Sequence, residues 1–146
     1  TGRRDFDEMR REAAACGLDA LEDGLSYRMV DFEDRIARLY EAVHVMVCRA
    51  GASTIAELTV AGVPSVLVPL PGAPGDHQSA NARALVEAGA AVVVRDAGCD
   101  ADALSSILDA LLDDPARRRA MSEAARGLGR PDAADRIGEL VVAHAR

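Results

Sequence analysis

The sequence predicts an α/β fold, a Rossmann-like parallel sheet with helices on both faces. Short apolar or β-branched runs alternate with longer helical patterns between residues 26 and 95. Two of those runs, at residues 45–47 and 66–68, are continuously apolar, as in a parallel strand that is covered on both faces. From residue 101 onward the pattern is purely helical, so we expect the sheet to end before that point.

The individual elements follow from the same patterns. Strands are predicted at residues 26–31, 44–48, 65–69 and 91–95. Helices are predicted at residues 6–16, 35–42, 55–61, 79–88, 101–112, 116–127 and 133–145. Gly17, Gly62 and Gly89 stand where three of these helices should end, a position that favours glycine. Pro115 and Pro131 lie near helix starts, where proline is tolerated.

The length of 146 residues fits one domain with one core. A linker-like stretch at residues 127–131 divides a domain at residues 1–130 from a final helix at residues 131–146. Because the first residue is Thr1, we expect the chain to be part of a longer protein, with the final helix reaching toward an absent domain.

Composition excludes several classes of protein. The formal net charge is −7 and all 17 basic residues are arginine, which argues against a nucleic-acid partner. No apolar run approaches the roughly 20 residues that span a bilayer, and no signal peptide is visible. The three cysteines have no zinc-site spacing, so we interpret them as buried or semi-buried thiols.

A run of small residues follows the predicted strand at residues 44–48. It leads from Cys48 through Gly51 to Thr54, where a helix is predicted to begin. Small side chains leave the first main-chain N–H groups of such a helix open to an anion such as a pyrophosphate. A simpler interpretation is a capping box, with Thr54 as the N-cap and Glu57 three residues later. Both interpretations stay open.

A second loop follows the predicted strand at residues 65–69. Its first seven residues contain three prolines and two glycines, which indicates a rigid, irregular segment. Asp76, His77, Gln78 and Asn81 come next and could bind hydroxyl groups. Alternatively, Asp76 only caps the following helix and its neighbours are solvated.

Other kinds of site have little support. No glycine-rich dinucleotide fingerprint and no Walker loop are present. Asp31, Glu33 and Asp34 are better explained as an acidic helix start than as a metal site. We therefore expect no metal ion and no cofactor.

Several stretches of the chain closely resemble the C-terminal domain of the MurG family, glycosyltransferase family 28. The most specific are VCRAGASTIAEL at residues 47–58 and AGVPSVLVP at residues 61–69. Further matches are Gln78, residues 81–82, EAGAA at residues 87–91, TGRR at residues 1–4, Asp31–Phe32 as a pair, and PDAADR at residues 131–136. The resemblance covers nearly the whole chain.

This resemblance implies the C-terminal half of a GT-B glycosyltransferase, an inverting enzyme that transfers N-acetylglucosamine from UDP-N-acetylglucosamine. The acceptor would be undecaprenyl-pyrophosphoryl-N-acetylmuramyl-pentapeptide, at the inner face of the bacterial plasma membrane. This half would hold the donor, and the catalytic base would lie in the other domain.

The resemblance also implies individual roles. Phe32 would cap the uracil and the main chain at Glu33 would bind the base edge. Glu57 would bind the ribose hydroxyls, while His77 and Gln78 would bind those of the sugar. The predicted substrate-binding set is completed by residues near the phosphates and the sugar, namely Arg49, Gly51, Ala52, Ser53, Thr54 and Asn81.

Three other functions remain open. The chain could be a binding subunit that needs a separate membrane-anchored partner. It could belong to a GT-B enzyme for another sugar nucleotide, because His77 stands where the family commonly has a glutamine. It could also be a non-catalytic Rossmann-like protein.

Overall fold

The computed structural model describes residues 3–18 and 26–145. These residues fall into two compact units, Thr1–Ile36 and Ala37–Arg146. The second unit contains the sheet and most of the predicted site.

The sheet has three parallel strands in the order β1-β2-β3, which are Met46–Cys48, Ser65–Leu67 and Ala91–Val93. This confirms the predicted parallel pairing, although each strand is shorter than predicted. Main-chain bonds continue beyond the strands, since Val68 N donates to Cys48 O at 2.9 Å and Val94 N donates to Leu67 O at 2.9 Å. Pro69 has no N–H group, which prevents the β2 ladder from extending further.

The middle strand carries the core. Val66 and Leu67 are both 0 % exposed, and consecutive strand residues point to opposite faces. Both faces of β2 are therefore covered, as predicted, whereas Val47 of β1 is 39 % exposed, so the same prediction is wrong for β1. One face packs with Leu111 and Met121 in a single hydrophobic cluster.

Seven α-helices lie in the described residues. They are α1 Phe6–Ala15, α2 Ile36–Ala42, α3 Ala52–Ala61, α4 His77–Glu87, α5 Ala101–Leu112, α6 Pro115–Leu128 and α7 Ala133–His144. Short 3-10 turns occupy Pro74–Asp76 and Asp96–Gly98. Gly17, Gly62 and Gly89 adopt φ values of 75°, 72° and 76° within two residues of the ends of α1, α3 and α4, which confirms their predicted role as helix ends.

The predicted strand at residues 26–31 is wrong. Residues 26–30 have no regular secondary structure and Asp31 forms a bend. Tyr27 and Val30 are 45 % and 37 % exposed, unlike residues of a covered parallel strand. Among the described residues no neighbouring strand pairs with this segment, and a strand needs such a partner for its N–H and C=O groups.

Two helices begin earlier than predicted. Helix α3 starts at Ala52 instead of residue 55, and α4 starts at His77 instead of residue 79. Small residues after β1 and the turn at Pro74–Asp76 let each helix begin close to the sheet.

The last helix has no buried residue. Ile137, Leu140 and Val141 are 61 %, 60 % and 62 % exposed, and their spacing places them on one side of the helix. No helix in the described ranges is both long and apolar enough to cross a membrane.

The core predicts a contrast between two adjacent leucines of α5. Leu111 is 0 % exposed, whereas Leu112 is 50 % exposed. We expect Leu111→Ala to lower the free energy of unfolding by about 2–5 kcal/mol, because it leaves a cavity in the cluster. Leu112→Ala, the matched control, should cost less than about 1 kcal/mol. Urea denaturation followed by circular dichroism measures both values, and equal losses would contradict this description of the core.

Candidate functional site

Two loops leave the carboxyl ends of adjacent parallel strands. Residues 49–51 connect β1 to α3, and residues 68–76 connect β2 to α4 and its preceding turn. Because β1 and β2 are parallel, both loops lie at the same edge of the sheet. Ligands of open α/β sheets bind at this edge.

Helix α3 begins without a side-chain cap. Gly51 is the N-cap in extended conformation, with φ −66° and ψ 148°, and its carbonyl accepts from Ile55 N at 2.9 Å. The N–H groups of Ala52, Ser53 and Thr54 consequently have no acceptor inside the helix. Together with the helix dipole they form a start that can hold an anion.

The capping box predicted as the alternative is wrong. Thr54 lies inside the first turn of α3 instead of at its N-cap, and no side-chain cap hydrogen bond is made. The reason is the earlier start of the helix, which places Glu57 in the second turn. Glu57 is therefore not needed to satisfy the helix end.

Glu57 is held by a tyrosine instead. The hydroxyl of Tyr40 donates to Glu57 Oε2 at 2.7 Å. Tyr40 is only 8 % exposed, while Glu57 is exposed. Burial, and then the hydrogen bond and charge of Glu57, raise the pKa of Tyr40 far above its usual value, so the phenol stays a donor. In the described chain, Glu57 Oε1 has no partner and can accept from a ligand.

The second loop places one amide side chain at the sheet edge. Gln78 Oε1 accepts from Leu70 N at 3.0 Å, so the loop fixes the side chain and leaves its NH₂ group to donate. His77, the first residue of α4, is exposed. Asn81 Nδ2 donates to Ala50 O at 3.0 Å and thereby ties α4 to the loop after β1.

Asp76 does not cap α4 through its side chain. It occupies the N-cap position with φ 51° and ψ 31° and makes no side-chain cap hydrogen bond. It is the only non-glycine residue of the described chain with positive φ, a conformation that aspartate tolerates better than most residues. Asp76 is therefore the N-cap residue, as predicted, but its left-handed backbone turns the chain abruptly into α4 and its side chain makes no capping bond.

Arg49 joins the ends of all three strands. Its Nη1 lies 3.2 Å from Val68 O, 3.4 Å from Pro69 O and 2.5 Å from Asp96 Oδ1. The side chains of Arg49 and Asp96 are 49 % and 38 % exposed, so the ion pair adds little to stability. Its consequence is positional, because it fixes the loops after β1, β2 and β3 relative to one another.

The thiol beside Arg49 is half-buried. Burial raises the pKa of Cys48 to about 11, so the thiol is neutral near pH 7. Cys48 and Cys99 are half-buried, as interpreted from the sequence, whereas Cys16 is exposed, so that interpretation is wrong for Cys16. No group of three or more His, Cys, Asp or Glu side chains suited to a metal ion occurs within the described ranges.

Phe32 and Glu33 belong to the first unit. Phe32 is 60 % exposed, its N–H donates to Asp31 Oδ1 at 2.8 Å, and the Arg3 guanidinium carbon lies 5.5 Å from its ring centroid. Glu33 Oε1 accepts from Arg35 N at 2.8 Å. This unit thus presents an open aromatic ring on a hydrogen-bonded turn.

Sequence reasoning missed Tyr40 and Asp96. Tyr40 lies at helical spacing with Ile36, a pattern that indicates only a core residue. Asp96 follows β3 at the same edge as the predicted site, and the rule that ligands bind at strand ends could have drawn attention to it.

Comparison with known proteins identifies relatives over most of the chain. A transferase of Xylella fastidiosa is 50 % identical over 119 residues, which are 82 % of this chain and 32 % of that protein. One of Alkalilimnicola ehrlichii is 45 % identical over 123 residues, or 84 % of this chain and 34 % of that protein. Both are named UDP-N-acetylglucosamine–N-acetylmuramyl-(pentapeptide) pyrophosphoryl-undecaprenol N-acetylglucosamine transferase.

Comparison with solved structures identifies a relative with the same fold. The crystal structure of Acinetobacter baumannii MurG matches 97 % of this chain and 41 % of its own, with a TM-score of 0.82 and 28 % identity. The fold is accordingly that of the C-terminal domain of a GT-B glycosyltransferase, as predicted.

Membership of a family follows from the match along the chain. The chain spans about a third of the length of the curated relatives named above. The model of the glycosyltransferase family 28 C-terminal domain matches residues 1–137. The chain therefore belongs to glycosyltransferase family 28, whose C-terminal domain it carries.

Proposed function

We propose that this chain binds UDP-N-acetylglucosamine and supplies the donor site of an inverting hexosyltransferase of peptidoglycan biosynthesis. The whole protein would transfer N-acetylglucosamine to undecaprenyl-pyrophosphoryl-N-acetylmuramyl-pentapeptide. One observation carries the proposal. The uncapped start of α3 and the carboxylate of Glu57, of which only Oε2 is hydrogen-bonded, lie one helical turn apart on the same helix.

That spacing suits a nucleoside diphosphate. The N–H groups of Ala52, Ser53 and Thr54 would hold the diphosphate, and Glu57 would accept hydrogen bonds from the ribose hydroxyls. A carboxylate can accept from two neighbouring hydroxyls at once, as it does in dinucleotide sites. Phe32 would cover the uracil, with the main chain at Glu33 at the base edge.

The sugar would lie against the start of α4. Gln78 presents an NH₂ group that can donate to a hydroxyl, and His77 stands beside it in sequence. Arg49 and Asn81 would shape the site, because their side chains hold the loops together.

In such a transfer, a base removes the proton of the acceptor hydroxyl. The hydroxyl oxygen then attacks the anomeric carbon from the face opposite UDP. The bond to UDP breaks with its electron pair, so negative charge grows on the diphosphate. The dipole and open N–H groups of α3 would stabilise that charge. We place the base in the acceptor-binding half of the whole protein.

The proposal also covers organisation and location. Residues 1–130 would form the donor domain, and α7 would pack its apolar side, which includes Ile137 and Leu140, onto the acceptor domain. Because the acceptor is a membrane lipid and the donor a soluble nucleotide, the reaction would take place at the cytoplasmic face of the bacterial plasma membrane.

Glu57→Gln tests the ribose contact. We expect UDP-N-acetylglucosamine affinity to fall roughly ten- to a hundredfold, because a charge-assisted bond is lost. The melting temperature should hardly change, since glutamine can still accept from Tyr40. Glu123→Gln, which removes the same charge from an exposed position of α6, should leave affinity unchanged. Calorimetric titration of the complete protein measures both variants, and full affinity in Glu57→Gln would refute the assignment.

The diphosphate site predicts binding without a metal ion. The open N–H groups and dipole of α3 would offset the diphosphate charge. UDP affinity should therefore be the same in a chelator as in magnesium or manganese. Loss of binding in chelator, with recovery on adding either ion, would show that a metal carries the diphosphate instead.

A further inference from the structure

A part-buried polar contact near the proposed site belongs to Tyr40. Its ring packs in the second unit at 8 % exposure. Among the described residues, its hydroxyl has one hydrogen bond, to Glu57 Oε2 at 2.7 Å. The partners are 17 positions apart, so the bond links α2 to α3 across the fold.

The bond gives the two carboxylate oxygens of Glu57 different roles. A phenol that remains protonated donates its hydrogen to Oε2, and Oε1 keeps its lone pairs for a ligand. An exposed glutamate on a helix otherwise samples several rotamers, and this freedom would be lost on binding. A carboxylate that is already held in one orientation avoids that loss.

We propose that Tyr40 is a positioning residue, which orients the Glu57 carboxylate toward the ribose hydroxyls of the donor nucleotide. This inference rests on the proposed function, because it requires Glu57 to contact the ribose. Tyr40 touches no part of the nucleotide and acts only through Glu57.

A purely structural role makes a different prediction. Tyr40→Phe keeps the ring in the core and removes only the hydroxyl. If the ring matters for packing alone, this change should affect every ligand equally or affect none. If the hydroxyl orients Glu57, the change should weaken those ligands that carry the ribose hydroxyls most strongly.

The experiment therefore compares UDP with 2′-deoxy-UDP. Calorimetric titration of the complete protein gives both dissociation constants for the wild type, Tyr40→Phe and a control. The control is Thr59→Val. It removes a different buried hydroxyl, which lies on α3 and donates to Ala56 O at 2.9 Å. Thermal melting of each variant verifies that it is folded.

The wild type should prefer UDP over 2′-deoxy-UDP by about tenfold, the effect of one hydrogen bond to a charged group. Tyr40→Phe should bind UDP about three- to tenfold more weakly and bring the ratio of the two constants toward one. Thr59→Val should keep the wild-type ratio.

A wild-type ratio retained in Tyr40→Phe would overturn the positioning role and leave the proposed function intact. Equal affinity of the wild type for the two nucleotides would instead show that Glu57 does not bind the ribose hydroxyl. In that case both the site assignment and the role of Tyr40 would fall.

Discussion

Helix α3 begins directly after β1 with three main-chain N–H groups that no side chain caps. Such groups need a partner, and solvent or an anionic ligand has to supply it. Gly51 at the N-cap has no side chain that could accept from these groups. The position of Glu57, one turn further along, follows from where the helix starts.

The rest of the sheet edge keeps that helix start in place. Asn81 ties α4 to the carbonyl of Ala50, and Arg49 connects the loop after β1 with Val68 and Asp96. These bonds are local and polar, while the strands beneath them are anchored by a closely packed apolar core. A rigid sheet with hydrogen-bonded loops is a suitable scaffold for the proposed nucleotide site.

Much of this arrangement could be predicted from the sequence. Continuous apolar runs revealed the parallel strands, and Gly62 and Gly89 marked helix ends because glycine readily adopts the left-handed backbone found there. The strand predicted at residues 26–31 failed, since apolar periodicity says nothing about whether a neighbouring strand is available. The start of α3 was placed too late, because Ala52 and Ser53 carry no periodic signal. The hydrogen bond between Tyr40 and Glu57 could not be predicted, since the two residues come into contact only when α2 and α3 pack.

The central claim is that the start of α3 binds the donor diphosphate, and nuclear magnetic resonance can test it residue by residue. The amide signals of Ala52, Ser53 and Thr54 would be followed during titration of the complete protein with UDP and, separately, with uridine. We expect UDP to shift all three signals in a saturable way, and uridine, which lacks the diphosphate, to leave them almost unchanged. Saturable binding of UDP with these three signals unmoved would contradict the account.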